Sequence, residues 1–165
     1  MEAVVLSNEK KIGKEIASIV QQSCITNNAY DLKDLTLSYF FNDKLLMICL
    51  IRQGITSKLF LEIQELAPFN TTEWANLLNI SGKSLSRYIQ TSKAFKSSQS
   101  ERIVEMTEVS YKGLEVFGNM GTFKSWLDTP NFALGNLTPK ELLKDSYGKE
   151  LVLAELHKIN YGLFA

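Results

Sequence analysis

Between Val116 and Ala165 the chain is punctuated so densely by capping and turn residues that only short helices joined by tight turns can accommodate it. Asp128-Thr129-Pro130-Asn131 follows Trp126-Leu127 and predicts a turn, because proline presets φ and asparagine tolerates left-handed backbone. Thr138-Pro139-Lys140-Glu141 predicts a helix start, with threonine as cap, proline at the first helical position and a carboxylate in the first turn. A last amphipathic helix is expected from about Lys149, followed by Tyr161-Gly162-Leu163-Phe164-Ala165. Chain ends are usually polar and frayed, so an apolar segment there calls for a surface to cover it.

Composition narrows the function classes. Eighteen basic residues balance eighteen acidic ones, so no global charge draws the chain to nucleic acid or membrane. The first residues lack the apolar core of a signal peptide, and the run Leu45–Ile51 is far below the ~20 residues of a membrane helix. A cytoplasmic protein is expected. Cys24 and Cys49 have no histidines nearby and read as buried or inert thiols, since structural zinc needs four ligands in close pairs. His157 is the single histidine. With no nucleophile spaced for a triad and no phosphate-cradling glycine motif (Gly118 and Gly121 sit in a polar turn), no catalytic residue, metal or cofactor is expected.

Helical spacing of Ile12, Ile16, Ile19 and Val20 predicts a helix over Glu9–Gln22, broken at Asn27-Asn28. Asp31–Phe41 is compatible with a short helix or a strand, with helix favoured. Lys44–Arg52 reads as a helix ended by Gly54, and Ser57–Ala67 as a helix capped by Ser57 and closed by Pro68. Next, Asn70 or Thr71 caps a helix to Leu78, Asn79-Ile80 breaks it, and Ser81 caps a second helix from Gly82 to about Thr91. Trp74, Leu77, Leu78, Ile80, Leu85 and Ile89 are spaced to pack this pair, the arrangement of a helix-turn-helix.

The second helix turns Lys83, Ser84, Arg87 and Gln90 away from Leu85 and Ile89. Between Glu73 and Glu101 lie Lys83, Arg87, Lys93 and Lys96 with no acidic residue. Ser81, Lys83, Ser84, Arg87, Gln90 and Lys93 are therefore the candidate DNA-contacting residues: donors and cations for phosphates and base edges. Ser92–Ser100 reads as a linker. A long helix is expected over Glu101–Phe117, with Ile103, Met106, Leu114 and Phe117 at the centre of an apolar stripe edged by Val104, Tyr111, Val109 and Val116. That width is enough for core and dimer contact together.

Phe117-Gly118, Trp126-Leu127, Thr129-Pro130-Asn131, Leu134-Gly135, Thr138-Pro139, Leu142-Leu143, Gly148, Leu156, Ile159 and Gly162–Phe164 follow one another in an order and spacing that resembles the toxin-binding domain of Xre/MbcA/ParS-type antitoxins. The resemblance covers roughly Ser100–Ala165. It implies an all-α protein in three parts: an N-terminal helical extension (1–44), an Xre-like helix-turn-helix (45–98) and a toxin-binding domain (99–165). It further implies a RES-domain toxin as partner, an ADP-ribosyltransferase-like, NAD-consuming enzyme whose active site the antitoxin blocks. Operator DNA would be the second partner, bound by a homodimer within the toxin–antitoxin assembly. Pro130, Asn131, Leu134, Gly135, Tyr161, Gly162, Leu163, Phe164 and Ala165 are the toxin contacts so implied. Trp126, Leu127, Leu142, Leu143 and Leu156 read as that domain's own core, and Pro139 and Gly148 as shaping turns. The alternative is a stand-alone helix-turn-helix regulator whose C-terminal half only dimerises.

Overall fold

A computed structural model describes residues 2–23 and 32–162, with side chains in the first helix described from residue 7 to residue 22. Ten α-helices and one 3-10 turn follow in order among them: α1 (Glu2–Ser23), α2 (Leu37–Asn42), α3 (Lys44–Gln53), α4 (Ser57–Leu66), α5 (Thr71–Leu77), α6 (Gly82–Thr91), α7 (Ser97–Phe117), α8 (Met120–Leu127), the 3-10 turn (Phe132–Leu134), α9 (Pro139–Leu142) and α10 (Ser146–Asn160). The fold is all-α; the only extended pairing among the described residues is an isolated bridge between Asn131 and Leu137. None of these helices is long and apolar enough to cross a membrane. The chain forms two compact units, residues 1–104 and 105–165.

In the first unit, α1 packs on α3 and α4 through Ile12, Ile16 and Val20, all buried with Leu46, Leu50, Leu59 and Ile63. The expected α1 is present but starts seven residues earlier. The Asp31–Phe41 ambiguity resolves into a helix beginning only at Leu37, where Thr36 accepts a hydrogen bond from the Tyr39 N–H at 3.2 Å. Thr36 satisfies a first-turn donor that a strand would have spent on a ladder. Helix α4 is capped by Thr56 rather than Ser57: the Thr56 hydroxyl accepts from Leu59 N–H at 3.2 Å while Ser57 is buried within the helix. Cys49 is disulfide-bonded, not the free thiol expected; Cys24 lies outside the described residues.

The largest departure from expectation is Ser92–Ser100, which is no linker. Helix α7 already starts at Ser97, and Phe95 is buried against Phe60 (ring centroids 4.9 Å apart) and stacked on Tyr88 (4.6 Å). Backbone bonds fix it in place. The Phe95 N–H donates to the Ile55 carbonyl at 2.8 Å, the Ile55 N–H donates to Ser100 Oγ at 2.9 Å, and the Ser100 hydroxyl donates to the Phe95 carbonyl at 3.2 Å. The approach is close enough to require Gly54, whose φ is 88° and where a Cβ would meet the Phe95 oxygen at 2.6 Å. A polar composition suggested a spacer; one phenylalanine with a non-local pocket decided otherwise, since burying such a side chain contributes about 1.5–3 kcal/mol.

The second unit is built around α7, α8 and α10. Met106, Val109, Tyr111 and Leu114 are buried, so most of the α7 stripe is spent within the chain. Phe123 of α8 is buried over Gly113 and lies in a ring cluster with Phe117 (6.0 Å) and Trp126 (6.2 Å). Gly121, expected in a turn, is inside α8, which Asn119 caps. Leu127, Leu143 and Leu156 are core as expected, whereas Trp126 and Leu142 are only half-buried. Lys149 of α10 pairs with Glu108 of α7 at 3.3 Å, both side chains largely enclosed. Gly148 lets α10 cross the end of α9, because a Cβ there would stand 2.0 Å from the Leu142 carbonyl oxygen.

Candidate functional site

Two surfaces carry the candidate chemistry, one in each unit. The first is α6. Asn70 and Glu73 close a reciprocal capping box at the start of α5: Glu73 N–H to Asn70 Oδ1 at 2.9 Å and Asn70 N–H to Glu73 Oε2 at 2.7 Å. Asn79 in left-handed backbone (φ 52°) and the Ile80 N–H bond to the Ala75 carbonyl (3.0 Å) then make a tight turn. Leu85 is fully buried and anchors α6 to α4 and α5. Wound at about 100° per residue, Lys83, Arg87 and Gln90 fall within about 60° of arc on the opposite side, and all three are exposed, as is Lys93 just past the left-handed Ser92 cap.

The serines divide their work. Ser81 Oγ accepts from the Ser84 N–H (3.1 Å) and donates to Ser84 Oγ (3.0 Å), so Ser81 is occupied in holding the helix start. Ser84 is half-buried and accepts that bond at its own hydroxyl oxygen. A cationic, donor-rich helix face at the end of a helix-turn-helix is suited to phosphates and base edges.

The second surface begins at the loop 128–138, which is tightly tied. Asn131 Oδ1 accepts from the Ala133 N–H (2.8 Å), and the Asn131 N–H donates to the Leu137 carbonyl (3.1 Å). Gly135 and Asn136 turn the chain in left-handed backbone (φ 71° and 61°). Lys140 Nζ binds Asp128 at 2.8 Å, and Thr138 forms a capping box with Glu141. Those bonds to Thr138, backbone first and hydroxyl second, hold the Glu141 carboxyl below its ordinary range.

Of the contacts expected from sequence, Pro130, Gly135, Tyr161 and Gly162 are exposed and Asn131 is half-buried, working as the loop's internal brace. Leu134 is a correction to the expected surface: it is only 7% exposed and is a floor for the loop, because the 3-10 turn points it inward. Leu163, Phe164 and Ala165 lie outside the described residues. What the loop does present is Phe132, 88% exposed, with Leu137 half-exposed beside the bridge. Tyr147 (83%), Leu151 (54%) and Tyr161 (74%) add large apolar side chains along and just past α10.

Residues 48–107 match the antitoxin Xre-like helix-turn-helix domain, and residues 112–162 match the antitoxin Xre/MbcA/ParS C-terminal toxin-binding domain. The chain belongs to the Xre/MbcA/ParS antitoxins. It is an antitoxin of a toxin–antitoxin system, with a helix-turn-helix and a toxin-binding domain. A solved structure of similar fold is a chain of the M. tuberculosis MbcT–MbcA toxin–antitoxin complex: TM-score 0.55, 20% identity, 66% of this chain and 96% of that chain covered. No curated protein matches the chain.

Within this antitoxin the helix-turn-helix match contains all of α6, and the toxin-binding match contains Phe132, Leu137, Tyr147, Leu151 and Tyr161. Sequence reading named the loop and Tyr161 but passed over Phe132, Tyr147 and Leu151. Tyr147 and Leu151 stand four apart on a helix, but only the burial of Gly148, Val152 and Leu156 shows that their face turns outward.

Proposed function

We propose that the antitoxin neutralises a RES-domain, NAD-consuming toxin by covering its active-site cleft, and that it represses its own operon through α6. The observation that carries the first half is the concentration of large, solvent-facing apolar side chains on a small unit whose loop is already braced. Buried aromatic anchors are what holds a protein partner, while a charged rim adds little. The work asked of this chain is steric: the residues after Gly162 would stand where NAD enters, with Tyr161 and the loop Pro130–Leu137 against the toxin beside them. The second half rests on the exposed Lys83, Arg87, Gln90 and Lys93. Two copies would place two α6 helices about 34–36 Å apart on successive major grooves.

Co-expression tests the inhibitory half. The full chain should protect cells from the RES toxin encoded beside it, and a chain ending at Gly162 should not. Equal protection by the shortened chain overturns the occlusion reading. A gel shift with the upstream region tests the second half, and absence of any shift leaves a toxin-binding protein without a repressor role. The stand-alone regulator gives the opposite pattern: an operator shift with no protection.

A further inference from the structure

Helix α10 is apolar on two sides. One side is spent inside the unit, where Gly148, Val152 and Leu156 are buried. Wound at about 100° per residue, Tyr147, Leu151, Ala154, Lys158 and Tyr161 gather within about 80° of arc on the other side. Their spacing is four, three, four, three, the period of a seam that receives a neighbouring element along its whole length. All five are exposed, and Lys158, which interrupts the apolar run, already pairs with Glu155 at 3.3 Å. An apolar stripe on a helix is normally turned toward a packing surface, and among the described residues this outer one is left exposed.

We infer that this outer face of α10 is the docking seam for the toxin, and that docking and inhibition are carried by different residues. The inference rests on the toxin as partner. The occupant is argued from position: the seam lies wholly within the stretch matching the toxin-binding family, and it runs directly into the segment proposed to occlude the cleft. The surface it fits is an apolar groove about one helix wide, lined by side chains that receive two tyrosine rings at its ends and close approach of the backbone at Ala154. The seam supplies the affinity; the residues after Gly162 supply the block.

The test compares three full-length or near full-length proteins against the purified toxin encoded beside the antitoxin, by calorimetry and by NAD consumption. The Tyr147→Ala/Leu151→Glu variant should bind at least about 30-fold more weakly, the effect of losing a hot-spot residue, with an unchanged helical spectrum and melting temperature because both side chains are exposed. The chain ending at Gly162 should bind within about threefold of the full chain yet fail to stop NAD consumption. If the double variant binds like the wild type, or binds normally while losing self-association, the seam is not the toxin's and the inference falls. If the shortened chain loses affinity as the double variant does, docking and blocking are not separate. If the wild type binds no toxin at all, the proposed function itself fails.

Discussion

Helices α6 and α10 turn opposite kinds of surface to the solvent. Helix α6 has a single buried residue, Leu85, and turns cations and amides outward. Helix α10 buries Gly148, Val152, Glu155 and Leu156 and turns tyrosines and a leucine outward. The first arrangement suits a partner whose surface is uniformly anionic, where charge gives most of the attraction and salt weakens it. The second suits a desolvated protein contact, where apolar area matters and salt does not weaken it by screening. On the proposed roles, outward-facing side chains, rather than helix length or position, would separate the two recognition tasks.

The contrast is broken most severely by removing what holds each helix down. Leu85→Ala should destabilise the first unit by roughly 2–5 kcal/mol, read by urea denaturation, and abolish the operator gel shift while toxin binding by pull-down persists. Gly148→Ala should cost about 1–3 kcal/mol through overpacking against the Leu142 carbonyl and give the reverse pattern; the two assays falling together in either variant would show the helices not to be independent. Arg87→Ala should weaken operator binding about tenfold and reduce the salt-dependence slope by about one, leaving unfolding midpoints unchanged. Ser81→Ala, which removes the α6 cap, should cost about 1 kcal/mol of stability with a smaller loss of operator affinity than Arg87→Ala.

The smallest effect concerns Glu62 on α4. Burial first, then the Glu15 carboxylate, pushes its carboxyl above the ordinary 4.5, and its Oε2 is buried without a hydrogen-bond partner. An acid whose pKa is raised on folding favours the fold at low pH, and that contribution is lost as pH rises through the folded value. Glu62→Gln should therefore melt slightly higher at pH 7, by under about 0.5 kcal/mol, with no difference below pH ~4. A uniform shift at both pH values would assign the change to packing instead.

Local codes were the legible part of this fold. The Asn70 and Ser81 caps, the Asn79-Ile80 turn, Gly54 as terminator and the Thr138-Pro139 start all act within four residues, and the sequence carried each of them in place. Contacts over long separations were not legible. Phe95 sits in a serine- and lysine-rich stretch, and its pocket is made by Ile55 and Phe60, far upstream. Phe123 depends on Gly113 ten positions earlier and on another helix. The disulfide at Cys49 gave no signal in spacing. At the candidate surfaces, the α6 face was readable because polarity alone marks it. On α10 both faces are apolar, and nothing within the helix tells which of them the unit will bury.

The bridge between Asn131 and Leu137 has a consequence for docking. With its backbone bonded across the turn and both flanks clamped by Asp128–Lys140 and Thr138–Glu141, the segment that lifts Phe132 into water gives up little freedom when a partner arrives. A partner docking on Phe132 would need orientation but no folding of this knuckle. The same bracing disfavours the extended strand that a protease cleft would require of this loop.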